Sequence, residues 1–316
     1  MLSNPIKKKR MNILITGATG FIGTQLVHAL ENEHTLTLVS RHPGKAAKKL
    51  GVAHTYLNDL ASLEHLNEID IVINLAGEPI ANKRWSHQQK DRICQSRWQL
   101  TQHIATLIKQ SAIPPQKLIN ASAIGFYGMH AEQALDEDFL PPKKSAIEFP
   151  HIVCKEWEKT ANDCRSIQTQ VIILRIGLVL GRYGGALSKM LPAFKLGLGG
   201  PIGDGKQGVS WIHQTDLINL ILLMIKQTHC QGVFNATAPH PVNQAEFAKT
   251  LAHTLHRPAF LPVPTLILKL ALGEMSQLLT QGQFVLPTRT LTTGFQFQYP
   301  YLNAAFHQLL QSPNSA

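Results

Sequence analysis

The chain lacks most of what would place it outside a reducing, aqueous compartment. Its four cysteines, Cys94, Cys154, Cys164 and Cys230, form no Cys-x-x-Cys pair. Neither a zinc ribbon nor a disulfide framework is indicated. The fifteen histidines are scattered, with no His-Glu-x-x-His run, so no metal catalysis is expected. The longest apolar runs, 217–225 and 261–272, are short or broken by Pro262, Pro264 and Lys269. A bilayer crossing needs about 20 apolar residues, so no membrane partner is expected. The leader 1–10 holds Lys7-Lys8-Lys9-Arg10 but not the apolar stretch of a secretory signal. It reads as a solvated, disordered basic terminus ahead of Met11. A cytoplasmic location follows as an expectation. Charged residues make up only 16% of the chain, and four of its ten net positive charges lie in that leader. No predicted helix carries a dense basic stripe, so nucleic acid is not an expected partner.

What is present is a core-forming chain of 316 residues, 44% of them hydrophobic. Its most telling stretch is Ile13-Leu14-Ile15-Thr16-Gly17-Ala18-Thr19-Gly20-Phe21-Ile22-Gly23. An apolar run of strand length enters a turn with glycines three apart. Phe21, Ile22, Leu26, Val27 and Leu30 then recur at helical spacing. The pattern is strand, tight turn, helix. Glycines here let the backbone approach a pyrophosphate, whose charge sits on the free N–H groups at the helix start. Gly17, Thr19, Gly20, Phe21, Ile22 and Gly23 are the expected phosphate-cradling residues.

Apolar, β-rich runs at 12–16, 35–40, 53–57, 71–75, 117–121 and 171–176 alternate with helical patterns at 21–31, 87–110 and 152–165. Such alternation predicts an α/β fold of the Rossmann type, a doubly wound parallel sheet with helices on both faces. Ligand then binds beyond the carboxyl ends of the strands. After Gly181 the texture changes, with a glycine-rich stretch at 197–208, a helix at 216–226 and a strand at 233–236. Asn243 with Glu246 reads as a helix cap, and 265–281 as a further helix. The expected division is a dinucleotide-binding domain at 11–180 and a smaller C-terminal α/β substrate lobe at 181–312, some of whose segments return to the sheet.

Adenosine specificity is decided just after the second strand, where an acid favours NAD by accepting from the ribose 2′-hydroxyl. No acid lies between Ser40 and Asn58, while Arg41 and Lys45 do. A guanidinium there suits a 2′-phosphate through two charge-assisted bonds. NADP(H) is therefore the expected cofactor, ahead of NAD.

Five ordered blocks carry a resemblance. They are Thr16-Gly17-Ala18-Thr19-Gly20-Phe21-Ile22-Gly23, Asn74-Leu75-Ala76-Gly77-Glu78-Pro79-Ile80, Ser122-Ala123-Ile124-Gly125-Phe126-Tyr127-Gly128, Arg175-Ile176-Gly177-Leu178-Val179-Leu180-Gly181, and Trp211-Ile212-His213 with Asp216. From Met11 to about Phe306 the chain resembles the extended short-chain dehydrogenase/reductase superfamily, in its atypical epimerase family branch with a distinctive C-terminal domain. The resemblance implies that Asp59 meets the adenine amino group and that Leu75, Ala76 and Gly77 lie along the adenosine and ribose. It puts Arg175 beside the nicotinamide. It places Gln207, Trp211 and His213 at the cleft or the domain junction, with Trp211-Ile212-His213 as an anchor and Asp216 as a helix cap. The polar cluster Asn82-Lys83-Arg84-Trp85 stands either at the substrate or pyrophosphate or merely on an exposed loop. A homodimer through the helices at 87–110 and 152–165 is also in keeping with the resemblance.

Standard members carry Tyr-x-x-x-Lys on one helix face, so that phenol and ammonium project together. The cation lowers the phenol pKa for proton transfer. In Pro150-His151-Ile152-Val153-Cys154-Lys155-Glu156-Trp157-Glu158 no tyrosine is available. One register puts His151 and Lys155 at the two positions, and a second, set by Glu158, puts Pro150 and Cys154 there. In the first, His151 serves as base and Lys155 holds the nicotinamide ribose. The remaining candidates are Ser122, resembling the serine that holds the substrate oxygen, and Tyr127, a phenol on the same loop. Two functions follow as expectations. One is an NADP(H)-dependent oxidoreductase or epimerase acting on a small carbonyl, hydroxyl or nucleotide-sugar compound. The other is an NADP(H) sensor that kept the cradle and lost the chemistry.

Overall fold

A computed structural model describes residues 10–128 and 133–311; most of the basic leader therefore lies outside the described residues. The strands are β1 (Asn12–Thr16), β2 (Thr35–Val39), β3 (Thr55–Leu57), β4 (Ile71–Asn74), β5 (Lys117–Ala123), β6 (Ala134–Leu135), β7 (Gln170–Ile176), β8 (Leu178–Leu180), β9 (Gly208–Val209), β10 (Trp211–His213), β11 (Gly232–Ala236), β12 (Val242–Asn243) and β13 (Phe284–Val285). The helices are α1 (Phe21–Leu30), α2 (Pro43–Leu50), α3 (His87–Gln110), α4 (Phe149–Asn162), α5 (Gly185–Lys195), α6 (Gln214–Lys226), α7 (Gln244–Thr254), α8 (Thr265–Leu272), α9 (Gln277–Thr280), α10 (Thr288–Thr292) and α11 (Leu302–Gln311).

The main sheet runs β11-β7-β5-β4-β1-β2-β3, and every pairing in it is parallel. Alternate side chains of a strand leave opposite faces, and β1 illustrates this. Ile13 and Ile15 join Leu26, Val27 and Leu30 of α1 and Leu217, Leu220 and Ile221 of α6 in one core. Leu14 joins Ile104, Leu107 and Ile108 of α3 and Ala161 of α4 in the other. Helices therefore cover both faces, as the strand–helix alternation predicts. The order reverses between β1 and β4, which puts the ligand crevice at their carboxyl ends.

The smaller C-terminal α/β lobe has its own core, in which Trp211, Phe247, Leu251, Phe306 and Leu309 pack together. Leu180 of β8, Trp211 of β10 and Val242 of β12 belong to it, whereas the pair β13 with β6 packs around Tyr127. Asn243 caps α7 by accepting the Glu246 N–H at 2.8 Å. Strand β11 and helix α6 belong to the main sheet and its covering layer.

Three details differ from the sequence expectations. The helix predicted at 265–281 is broken, because Gly273 adopts φ +61° and a 3-10 turn at Gly273–Ser276 separates α8 from α9. Helix α2, unpredicted, starts with Pro43 in its first turn, where the missing proline N–H costs nothing. Asp216 does not cap α6. His213 does, its Nδ1 accepting the Thr215 N–H at 3.1 Å. The Asp216 carboxylate instead accepts the N–H groups of Gln298 and Tyr299 at 2.7 and 3.0 Å, fastening the approach to α11.

Candidate functional site

The crevice begins at the turn from β1 to α1. Gly17 takes φ +72°, a left-handed conformation that only glycine adopts without strain. A methyl group there would also lie 2.8 Å from the carbonyl carbon of Leu75. At Gly23 it would lie 2.3 Å from the Gly17 carbonyl oxygen. The turn is thus packed against the end of β4 with no room for side chains. Helix α1 begins at Gly20 with no side-chain cap. The N–H groups of Phe21, Ile22 and Gly23 have no intrahelical acceptor. Thr19 and Gly20 are exposed above them. These features fit the pyrophosphate of a dinucleotide.

Beneath the turn lies a polar network. The buried Thr16 hydroxyl donates to Asn74 Oδ1 at 2.6 Å, and Asn74 Nδ2 reaches Asn120 Oδ1 at 2.6 Å and Thr101 Oγ1 at 2.9 Å. The Ala76 N–H leans on the same threonine oxygen at 3.3 Å. Buried polar groups joined this way hold strand ends in a single arrangement. Three of these residues come from separate strands and one from α3, so local sequence pattern could not reveal the network.

The residues expected to meet the adenosine follow β2, β3 and β4. Arg41 and Lys45 are exposed after β2, and Lys49 of α2 donates to the Thr19 carbonyl oxygen at 2.9 Å. Asp59 is exposed at the end of β3; its Oδ1 accepts the Ala61 N–H at 2.9 Å and closes a turn. Leu75, Ala76 and Gly77 follow β4 at the same end of the sheet. The loop 82–85 is tied down rather than loose. Lys189 of α5 donates to Asn82 Oδ1 at 2.7 Å, and Arg84 donates to the Leu270 carbonyl oxygen of α8 at 3.2 Å.

The catalytic candidates are arranged differently from the sequence expectation. Helix α4 starts at Phe149, so His151 sits in its first turn. Burial encloses His151, and its Nδ1 is hydrogen-bonded to the Phe126 carbonyl oxygen. Lys155 is exposed on the solvent side. Toward the cleft, Pro150 and Cys154 face Gly125: a methyl there would lie 2.9 Å from Pro150 Cβ and 3.7 Å from Cys154 Sγ. Pro150 and Cys154, the pair of the second register, thus lie against the turn after β5, while Lys155 of the first register is exposed. The Cys154 thiol is pushed up to about 11 by burial and then by the Glu158 carboxylate.

Ser122 is also buried. Its hydroxyl donates to Glu158 Oε1 at 2.6 Å. Glu158 at the same time takes two bonds from Arg175, Nε to Oε1 at 2.9 Å and Nη2 to Oε2 at 2.8 Å. The guanidinium lies 3.5 Å from the Phe126 ring centroid. Burial works against the Arg175 cation, yet the Glu158 carboxylate holds its pKa above the ordinary value. Arg175 therefore forms a buried ion pair with Glu158 and packs against Phe126. Tyr127 is fully buried, its phenol donating to Asn235 Oδ1 of β11 at 2.8 Å. Burial raises its pKa, partly offset by Arg175 and Asn235. It acts as a strut between β11 and the turn after β5.

A profile described as the NAD dependent epimerase/dehydratase family matches residues 13–236. The chain belongs to that family. A domain of unknown function, DUF1731, matches residues 263–309. Epimerase family protein SDR39U1 of Mus musculus is 39% identical over 95% of this chain and 100% of its own length. The human epimerase family protein SDR39U1, solved with NADPH, is 36% identical, with TM-score 0.87 over 96% of this chain and 100% of that one. UDP-glucuronic acid 4-epimerase from Bacillus cereus, solved with NAD, shares the fold at 18% identity, with TM-score 0.73 over 94% and 96% of the two chains. The epimerase family match spans all seven strands of the main sheet, and the DUF1731 match lies in the C-terminal lobe. Among the described residues, no helix is long and apolar enough to cross a membrane.

Proposed function

We propose that this epimerase family member binds NADP(H) and exchanges hydride with a small carbonyl or hydroxyl compound, nucleotide sugars included. The carrying observation is the uncapped start of α1, with Gly17 pressed onto Leu75 and Ala76. Gly17, Thr19, Gly20, Phe21, Ile22 and Gly23 hold the pyrophosphate on backbone N–H groups. Arg41 and Lys45 take the 2′-phosphate, which is where NADP is preferred over NAD. Asp59, Leu75, Ala76 and Gly77 line the adenosine. When bound, the nicotinamide supplies or accepts a hydride. In this reading the Ser122 hydroxyl leaves Glu158 and donates to the substrate oxygen.

A second reading is favoured by a specific observation. Ser122, Tyr127 and His151 are each buried and hydrogen-bonded inside the protein, and Lys155 faces solvent. A chain built this way also suits an NADP(H) sensor without turnover. One experiment separates the two. Purified protein is mixed with NADPH and a panel of aldehydes, ketones and nucleotide sugars, and the absorbance of the reduced nicotinamide is followed. Turnover that Ser122→Ala abolishes supports the enzyme. Tight NADPH binding with no turnover across the panel supports the sensor. No affinity for NADPH or NADH overturns both.

A further inference from the structure

Helix α8 is apolar and stands on the outside of the protein. Only Thr265 and Lys269 among its residues are polar, yet none of the helix is buried. Leu266, Ile267 and Leu270 are 66%, 57% and 71% exposed. Every other described helix of eight residues or more has buried residues. So short a helix is marginal in water by itself and is stabilised by packing an apolar face. The inward edge of α8 is Leu268 and Leu272, both half-buried. Its last turn is held by Arg84, which donates to the Leu270 carbonyl oxygen. At its start, a methyl on Gly203 would lie 2.8 Å from Thr265 Cγ2. Nothing covers the outward face among the described residues.

The apolar surface continues onto the adjoining chain. Segments 195–203 and 257–263 run side by side: Arg257 Nε donates to the Lys195 carbonyl oxygen at 2.9 Å, and Ile202 bridges to Val263. Leu196, Leu198, Phe260 and Leu261 are exposed along these two segments. With the α8 face they expose roughly 900 Å², beyond the 300–600 Å² of the largest apolar patch on an ordinary monomer. One side of a standard protein–protein interface is about 800 Å², so the patch is large enough for a stable dimer.

The sequence expectation puts a homodimer on the helices at 87–110 and 152–165, but that face offers little to bury. Ile152 is the one exposed large hydrophobic residue within α3 and α4. The groove between the two helices is lined by Gln99, Gln102, His103 and Glu156 beside Trp98. The exposed apolar area lies on the C-terminal lobe instead. We propose that a second copy of this chain covers α8, in a two-fold dimer built on Leu266, Ile267 and Leu270 of both copies. A two-fold axis sets the same patch against itself, so the α8 row of one copy packs on the α8 row of the other. Charge at the rim is of both signs: Lys195, Arg257 and Lys269 are exposed there, as are Asp204 and Glu274. Glu274 is already paired with Lys90, and Asp204 lies 4.0 Å from Lys206. The cations therefore prevail, and the apolar contact forms against their repulsion. Salt screens that repulsion and strengthens the dimer. This inference is independent of the cofactor reading.

The test is sedimentation equilibrium of the full chain across about 0.1–100 µM, in low and in high salt. The wild type is expected to dimerise within this range, more tightly in high salt. Leu266→Gln combined with Leu270→Gln raises the dimer dissociation constant about a hundredfold or more, while Ile152→Gln on α4 leaves it unchanged. Thermal melts of the variants identify any that do not fold, in which case the single exchange Leu270→Ser replaces the double one. A wild type that is monomeric throughout overturns the proposal. So does a dimer that the α8 variant leaves intact, or one that Ile152→Gln dissociates. Sedimentation of a monomeric wild type with phosphatidylserine vesicles, lost in the α8 variant, would assign the patch to an anionic lipid surface and overturn the dimer.

Discussion

Ser122 and Arg175 meet on one carboxylate: Oε1 of Glu158 accepts the serine hydroxyl at 2.6 Å and the arginine Nε at 2.9 Å. Both side chains are buried, so the two donors and the acceptor stand or fall together. Glu158→Gln leaves the guanidinium without a counter-charge and should cost about 3–5 kcal/mol. Ser122→Ala removes one hydrogen bond and should cost about 1 kcal/mol. Urea unfolding of the two variants checks this, and equal losses would show that the ion pair contributes little.

Selectivity for the phosphorylated cofactor should reside in two exposed cations. Arg41→Ala combined with Lys45→Ala should weaken NADPH about tenfold to a hundredfold, since a charged hydrogen bond is worth roughly 1.5–3 kcal/mol. NADH, which has no 2′-phosphate, should change little. Fluorescence titration with both nucleotides decides the matter, and parallel losses would place these side chains away from the phosphate.

Gly17 tolerates no side chain. Gly17→Ala forces a left-handed alanine, at about 1–2 kcal/mol, and sets its methyl 2.8 Å from the Leu75 backbone. The turn must shift to admit it. A loss of more than about tenfold in NADPH affinity is expected, alongside a lower melting temperature. Wild-type affinity in this variant would mean that the turn does not hold the cofactor.

His213 gives the protein an acid-sensitive component. Burial lowers its pKa to about 4, against some help from Gln308. The unfolded chain takes up this proton near pH 6.5 while the folded one resists until about 4, so stability falls as pH drops through that window. The loss is on the order of 3 kcal/mol at most. Asp216 acts in the opposite sense, because burial raises its pKa and protonation costs the folded state less. Melting curves from pH 7 to 4 should therefore be flatter for His213→Gln than for the wild type. Identical slopes would assign the acid sensitivity to other groups.

The parallel sheet was legible because each strand is an apolar run next to a glycine, proline or polar break, and because Gly17, Gly20 and Gly23 mark one particular turn. Arg41 and Lys45 were legible for a related reason: short-range position after a strand determines which end of the sheet they occupy. The centre of the site was not. Whether Ser122 faces a cleft or a carboxylate depends on Glu158 of α4 and Arg175 of β7, distant in sequence and joined only by the fold. The break in the helix expected at 265–281 is not legible in the sequence, because a left-handed Gly273 beside Arg84, at 3.2 Å from the site of its missing methyl, is a tertiary matter.

The ring of Phe21 occupies the volume that side chains would need at Gly181, Gly184 and Gly185, all within 3 Å of the atoms a methyl would add there. Bulk at one point of the chain is answered by vacancy at three others. Gln214 fastens the same spot by donating to the Phe21 carbonyl oxygen at 2.9 Å. Divergence at these places must then be correlated: a relative that gains a side chain at any of the three glycines has to shrink the aromatic. The residue that opens the first helix is in this way a keystone for the segment where the second lobe departs, and neither can drift alone.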